Sequence, residues 1–209
     1  MILVTAFTPF GGAETNPSAD LLRALPDDPN VTRVILPVEY EAASREIVRL
    51  IRELRPTAVI CFGLAARSDT LRLERVARNR AESPAPDNVG TIREGQPIKP
   101  GAPELYPATL PLDAISAALT ERGIPHTFSD DAGGYVCNHT FYCARHEIEE
   151  SGNDTLCGFI HVPPIQGPEQ FASLLEAAAL CIAATSPPSS VPVPTGSSDT
   201  TCVLASPRK

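Results

Sequence analysis

Short runs of apolar residues alternate along the chain with stretches in which apolar positions recur every three or four residues. Residues 2–7, 33–37, 58–63, 126–129 and 155–161 are rich in Val, Ile, Leu and Phe and are read as short buried strands. Within 40–54, Ala43, Ile47, Leu50, Ile51 and Leu54 share one helical face, and Glu41 and Arg45 form an i,i+4 pair on the other. Helices are also expected over 18–25, 112–122, 137–150 and 169–184; the last gathers Phe171, Leu174, Leu175, Ala178 and Ile182. Strands alternating with helices predict an α/β fold, a three-layer α/β/α domain with a mainly parallel, twisted sheet. Residues 70–78 alternate with period two and are read as an extra strand or hairpin near the sheet edge. Residues 83–106, rich in Pro and Gly, are expected to form an irregular functional loop.

Composition sharpens this picture. A chain of 209 residues, 43% of them hydrophobic, suits one compact domain, placed at 1–185. Residues 186–209 are rich in Pro, Ser and Thr, bury too little apolar surface to order themselves, and are expected to be a disordered tail. The formal net charge of -8 and the lack of a basic cluster argue against nucleic acid or an anionic membrane surface as partner. The start, Met1-Ile2-Leu3-Val4-Thr5, has no basic lead and only a short apolar run, so neither a signal peptide nor a membrane span is expected there. Six cysteines without a repeated spacing predict a reduced, cytoplasmic protein and no disulfide framework.

In such a sheet functional residues gather at the carboxyl ends of strands. Thr5-Ala6-Phe7-Thr8-Pro9-Phe10-Gly11-Gly12 follows the first strand, and His161-Val162-Pro163 ends the fifth. After the fourth comes Asp131-Ala132-Gly133-Gly134-Tyr135-Val136-Cys137-Asn138, a glycine pair and then a thiol opening a helix. The partial positive charge of a helix N-terminus favours thiolate, so Cys137 is the candidate nucleophile. Cysteine before histidine, with an acid elsewhere, permits a thiol–imidazole–carboxylate arrangement. Each residue also has a plainer role: Cys137 as a small core residue, His161 as a polar residue at the sheet rim, Glu74 as the outward member of an alternating strand, Phe7 and Phe10 as core. His139, Cys143 and His146, at i, i+4 and i+7, offer a rival metal-binding face. No fourth ligand has zinc-like spacing, so a face turned to solvent or to a partner chain is preferred and neither a metal nor any cofactor is expected. Pro9-Phe10-Gly11-Gly12 matches neither common phosphate-binding glycine motif.

These residues resemble the type I pyroglutamyl peptidases, also called pyrrolidone-carboxylate peptidases, a family of cysteine peptidases. The resemblance rests on the first loop with Asn16-Pro17-Ser18; on Gly63 through Glu74-Arg75-Val76-Ala77-Arg78-Asn79; on Pro86-Asp87-Asn88; and on the Cys137 block with Gly158-Phe159-Ile160-His161-Val162-Pro163. It implies Cys137 as nucleophile, His161 as its base, Glu74 as the acid orienting the imidazole, and Phe7, Phe10 and Asn16 at the substrate pocket. It further implies hydrolysis after an N-terminal pyroglutamyl residue of peptides, and it leaves a homo-oligomer open. Four places depart from the family pattern: Arg72 where a small hydroxyl residue is usual, Leu64 where some members carry glutamine, Ser83-Pro84-Ala85 where an arginine often stands, and the link after Pro163. A catalytically impaired relative that only binds is therefore the second alternative.

Overall fold

In the computed structural model, which describes residues 1–186, strand β1 (Ile2–Phe7) is buried at every position, as a strand covered on both faces requires. The tail expected to be disordered lies, from residue 187 on, outside the described residues. Helix α1 (Pro17–Ala24) starts at Asn16, whose side chain accepts the Ser18 N–H, with Pro17 at the first helical position. Strand β2 (Val31–Leu36), helix α2 (Tyr40–Leu54) and strand β3 (Ala58–Leu64) complete the parallel first half. Then come β4 (Leu71–Glu74), β5 (Val76–Arg78), β6 (Ala81–Ser83), β7 (Arg93–Gln96) and β8 (Leu105–Pro107). The described residues close with α3 (Leu112–Glu121), β9 (His126–Ser129), α4 (Val136–Ser151), β10 (Leu156–Val162) and α5 (Pro168–Thr185).

Six strands form the main sheet in the order β2-β1-β3-β10-β4-β9. Strands β1, β2, β3 and β10 are parallel, β4 runs antiparallel to β10, and β9 follows β4. The fold is thus the α/β class expected. Period-two alternation divides the side chains between two cores. Leu3, Phe7, Val59, Cys61, Cys157 and Phe159 face α2 and α4, whereas Val4, Ile60, Phe62, Leu71, Leu73 and Ile160 belong to the core beside α1, α3 and α5.

Two expectations change in detail. Residues 70–78 are not one edge element. They break at Arg75, where the backbone N–H donates to Ser129 O and the carbonyl accepts from Ala108, so β4 stays in the sheet while β5 pairs with β8 outside it. Residues 83–106 are not wholly irregular, because β7 returns to pair with β6 and the segment closes on β8.

Candidate active site

The reversed direction of β4 decides which side chains meet. Its register sets Glu74 opposite Phe159 and Arg72 opposite His161. Leu71 and Leu73 point to one core, so Arg72 and Glu74 lie on the other face, the face of His161 and of α4. There Glu74 Oε1 lies 2.8 Å from His161 Nδ1. Glu74 is 0% exposed and His161 6%. A carboxylate only accepts, so the neutral imidazole carries its proton on Nδ1 and leaves Nε2 as the free acceptor.

Cys137 reaches this pair from the opposite side. Because β9 runs against β10, the chain must double back after Ser129, and Asp131 O returns to within 2.8 Å of Arg72 Nη2. Gly134 then passes so close to β6 that a Cβ there would sit 2.2 Å from Glu82 O, and the Glu82 N–H donates to Gly134 O at 2.8 Å. Asn138 fixes the start of α4. Its buried amide accepts from Arg78 N at 2.9 Å and donates to the carbonyls of Arg78 and Arg80. The outcome places Cys137 Sγ over β3, 2.9 Å from where a Cβ on Gly63 would stand, and Gly63 is the residue in register with His161.

Cys61, Cys143, Cys157 and Cys181 are free but buried, and Cys137 alone among the described cysteines keeps partial exposure. Burial pushes its thiol up to about 12, with Cys61 and the Glu74 carboxylate acting in the same direction, against a bond from its own backbone N–H. This push is opposite in direction to the one that the helix start by itself would give. No side chain caps α4, so N–H groups of its first turn remain available to a developing oxyanion.

A cleft opens above the thiol, and Phe7, Phe10, Asn16, Cys137 and His161 all line it. Phe7 is 2% exposed with its ring against Phe159, so it is both core and wall. The Phe10 ring stands 5.9 Å from that of Tyr135. Asn16 reaches the cleft, but its amide is committed to Thr8 O and to the start of α1. Val38, Leu64 and Tyr135 add to the apolar lining, although the sequence had offered Leu64 only as a departure from the family pattern and Tyr135 only as part of the Cys137 block. Tyr135 stands two residues before the thiol, a position that carried the signal; Val38 had none. Asp87 and Asn88 brace the rim through bonds to Tyr40 N and Pro9 O.

The metal-binding face does not assemble. His139 and Cys143 are buried rather than turned to solvent, with Nδ1 and Sγ 4.0 Å apart and the His139 ring edge-on to Tyr40. His146 Nδ1 instead meets Tyr106 Oη at 3.0 Å. Among the described residues no group of three or more His, Cys, Asp or Glu could hold a metal ion, and no helix is long and apolar enough to cross a membrane.

The family profile for pyroglutamyl peptidase matches residues 1–186. The chain belongs to this family. It is 45% identical over 165 residues to the pyrrolidone-carboxylate peptidase of Thermococcus onnurineus, covering 78% of this chain and 82% of that one. Its identity to the Deinococcus radiodurans protein of the same name is 44% over 168 residues, covering 78% and 77%. Crystal structures of the Pyrococcus furiosus pyrrolidone carboxyl peptidase superimpose with a TM-score of 0.81 at 34% identity, covering 88% of this chain and 97% of that one. The chain is accordingly a cysteine-type hydrolase, a pyroglutamyl peptidase, and neither the metal-binding nor the binding-only reading finds support.

Proposed function

We propose that this peptidase removes the N-terminal L-pyroglutamyl residue from peptides, with Cys137 as nucleophile, His161 as general base and then acid, and Glu74 as the orienting carboxylate. One observation carries the assignment of roles: the buried Glu74 carboxylate binds His161 Nδ1 at 2.8 Å, which leaves Nε2 free in the cleft that also holds the half-buried Cys137. His161 Nε2 takes the thiol proton as sulfur attacks the carbonyl carbon attached to the lactam ring. The negative oxygen that forms is received by the Cys137 N–H at the uncapped start of α4. The C–N bond then breaks, the imidazolium gives its proton to the leaving amine, and a thioester remains. His161 next deprotonates a water that cleaves the thioester, releasing pyroglutamate and restoring the thiol.

Phe7, Phe10 and Tyr135 take the apolar faces of the lactam, and Asn16 holds the first loop in place. The free thiols of the described cysteines support action in the reducing cytoplasm. The test is release of a chromogenic amine from its L-pyroglutamyl amide. The wild-type protein should release it, Cys137→Ala should lose on the order of a thousandfold or more, and Cys181→Ala, on the opposite side of the sheet, should stay active. Full activity in Cys137→Ala would remove the thiol from the mechanism.

A further inference from the structure

The oxygen of Glu74 that serves His161 is not its alone. Arg72 Nε donates to the same Oε1 at 3.1 Å, while Glu74 Oε2, fully buried, has no partner. The other arm of the guanidinium, Nη2, donates to Ser129 Oγ at 2.6 Å and to Asp131 O at 2.8 Å. One side chain thus touches the acid of the Glu–His pair and the segment that doubles back toward Cys137. Glu74 holds one negative charge between two cations of different kind. Arg72 is charged at every working pH, whereas imidazole is charged only after it takes a proton. Whatever part of the carboxylate's field is compensated by Arg72 is not available to hold the imidazolium.

We propose that Arg72 is a positioning residue that tempers Glu74, setting the pH range over which His161 acts as base. The inference rests on the Cys137–His161–Glu74 reading. The other titratable or charged groups around the pair are the thiols of Cys137 on α4 and Cys61 on β3 and the Tyr135 hydroxyl, which donates to Pro86 O, together with Asp131 and Arg67 where the cleft opens outward. Asp131 turns its carboxylate to the Gly133 N–H, so Arg72 is the cation in direct contact with Glu74. Removing that cation favours the protonated ring and disfavours the thiolate, so both limbs of the activity profile should move to higher pH.

The test is kcat/KM against pH on an L-pyroglutamyl amide for the wild type, Arg72→Gln, Arg72→Lys and Glu74→Gln. Arg72→Gln should displace the acid limb upward by roughly half a unit to one unit, with KM changed less than twofold. Arg72→Lys, which keeps the charge and loses the forked bonds, should return the limb close to the wild-type position even where its kcat is lower. Glu74→Gln should displace the limb downward. Unmoved limbs in Arg72→Gln, or equal displacement in Gln and Lys variants, would overturn the inference and make Arg72 a tether for the 129–131 segment. A Glu74→Gln profile identical to wild type would instead overturn the underlying reading of Glu74, so the two failures are separable.

Discussion

Cys137 Sγ occupies the space that a side chain on Gly63 would need: a Cβ there would lie 2.9 Å from the sulfur and 2.7 Å from the Phe159 ring. Gly63 ends the buried part of β3 and is in register with His161, so the missing side chain is what leaves room for the Cys137 thiol on this part of the sheet. Gly63→Ala should force the thiol out of line and strain the Phe159 packing. Overpacking of this kind costs about 1–3 kcal/mol of stability. The misplaced thiol should cost on the order of a hundredfold in kcat, since small displacements of reacting groups are expensive. Steady-state kinetics beside a thermal melt will show whether activity falls further than stability accounts for. A variant with unchanged kcat would mean that the sulfur has room elsewhere.

Glu74 has no exposure and one partnered oxygen, so its loss should be felt in chemistry more than in binding. Glu74→Gln can still accept from His161 Nδ1–H but cannot compensate the imidazolium formed in both steps. We expect kcat to fall by two orders of magnitude or more with KM within about threefold. Equal kcat in the variant and the wild type would return Glu74 to a structural part in β4.

Much of this was legible in the chain because local pattern dictates it. Helix α2 follows its apolar stripe over Tyr40–Leu54, and Ile2–Phe7 is a buried strand as its composition demands. The Gly133-Gly134 pair announced the turn before Cys137. What local pattern does not carry is strand direction. Nothing within residues 71–74 says that β4 runs against β10, yet that direction sets Arg72 opposite His161 and brings Glu74 Oε1 to its ring. The face of α4 was obscured for a different reason. The helix is buried on most sides, and even Arg145 is 1% exposed, its guanidinium satisfied by Pro107 O and Glu149. Periodicity cannot pick the inward face of a helix that is inward nearly all round, so the His139–Cys143 pair looked available when it was core. The upward push on the thiol escaped because it comes from burial, with Cys61 and Glu74 adding to it, and none of these neighbours is visible before the fold exists.

His139 offers a test of stability against pH. Burial, with the Arg93 and Lys99 charges adding to it, lowers its pKa from 6.5 to about 4. Above about pH 6.5 both folded and unfolded chains hold it neutral, and its contribution is fully present. As the pH falls from 6.5 toward 4 the unfolded chain binds a proton that the folded protein refuses, and stability is lost progressively. Over that window the single residue accounts for up to about 3 kcal/mol. Denaturant melts at pH 7 and pH 4.5 should therefore converge in His139→Phe relative to wild type. An equal loss between the two pH values in both proteins would place the acid sensitivity elsewhere.

If the cleft over Cys137 receives the lactam as proposed, its walls predict what the enzyme refuses. A pyroglutamyl ring is flat, apolar on its faces, and carries one N–H and one C=O at its edge. Phe7, Phe10 and Tyr135 offer apolar surface for the faces, and a site that reads the ring must pair its edge with hydrogen-bonding groups. A prolyl ring of the same size lacks the carbonyl and brings a charged amine. Binding it would leave the partner of the lactam carbonyl unpaired and strip water from a cation, and sites that read such edges reject analogues of this kind by factors on the order of 10⁴. We expect rapid cleavage of L-pyroglutamyl amides and no measurable cleavage of L-prolyl amides at equal concentration. Phe10, half-buried at the rim beside Tyr135, can be truncated without opening the core, whereas the 2% exposed Phe7 cannot. Phe10→Ala should thus raise KM for the pyroglutamyl amide about tenfold while kcat stays within a few-fold, because the ring supports binding equally in ground and transition states. Phe7→Ala should cost about 3–5 kcal/mol of stability. Comparable kcat/KM for prolyl and pyroglutamyl amides would show that the cleft does not read the lactam edge, and the substrate assignment would fall with it.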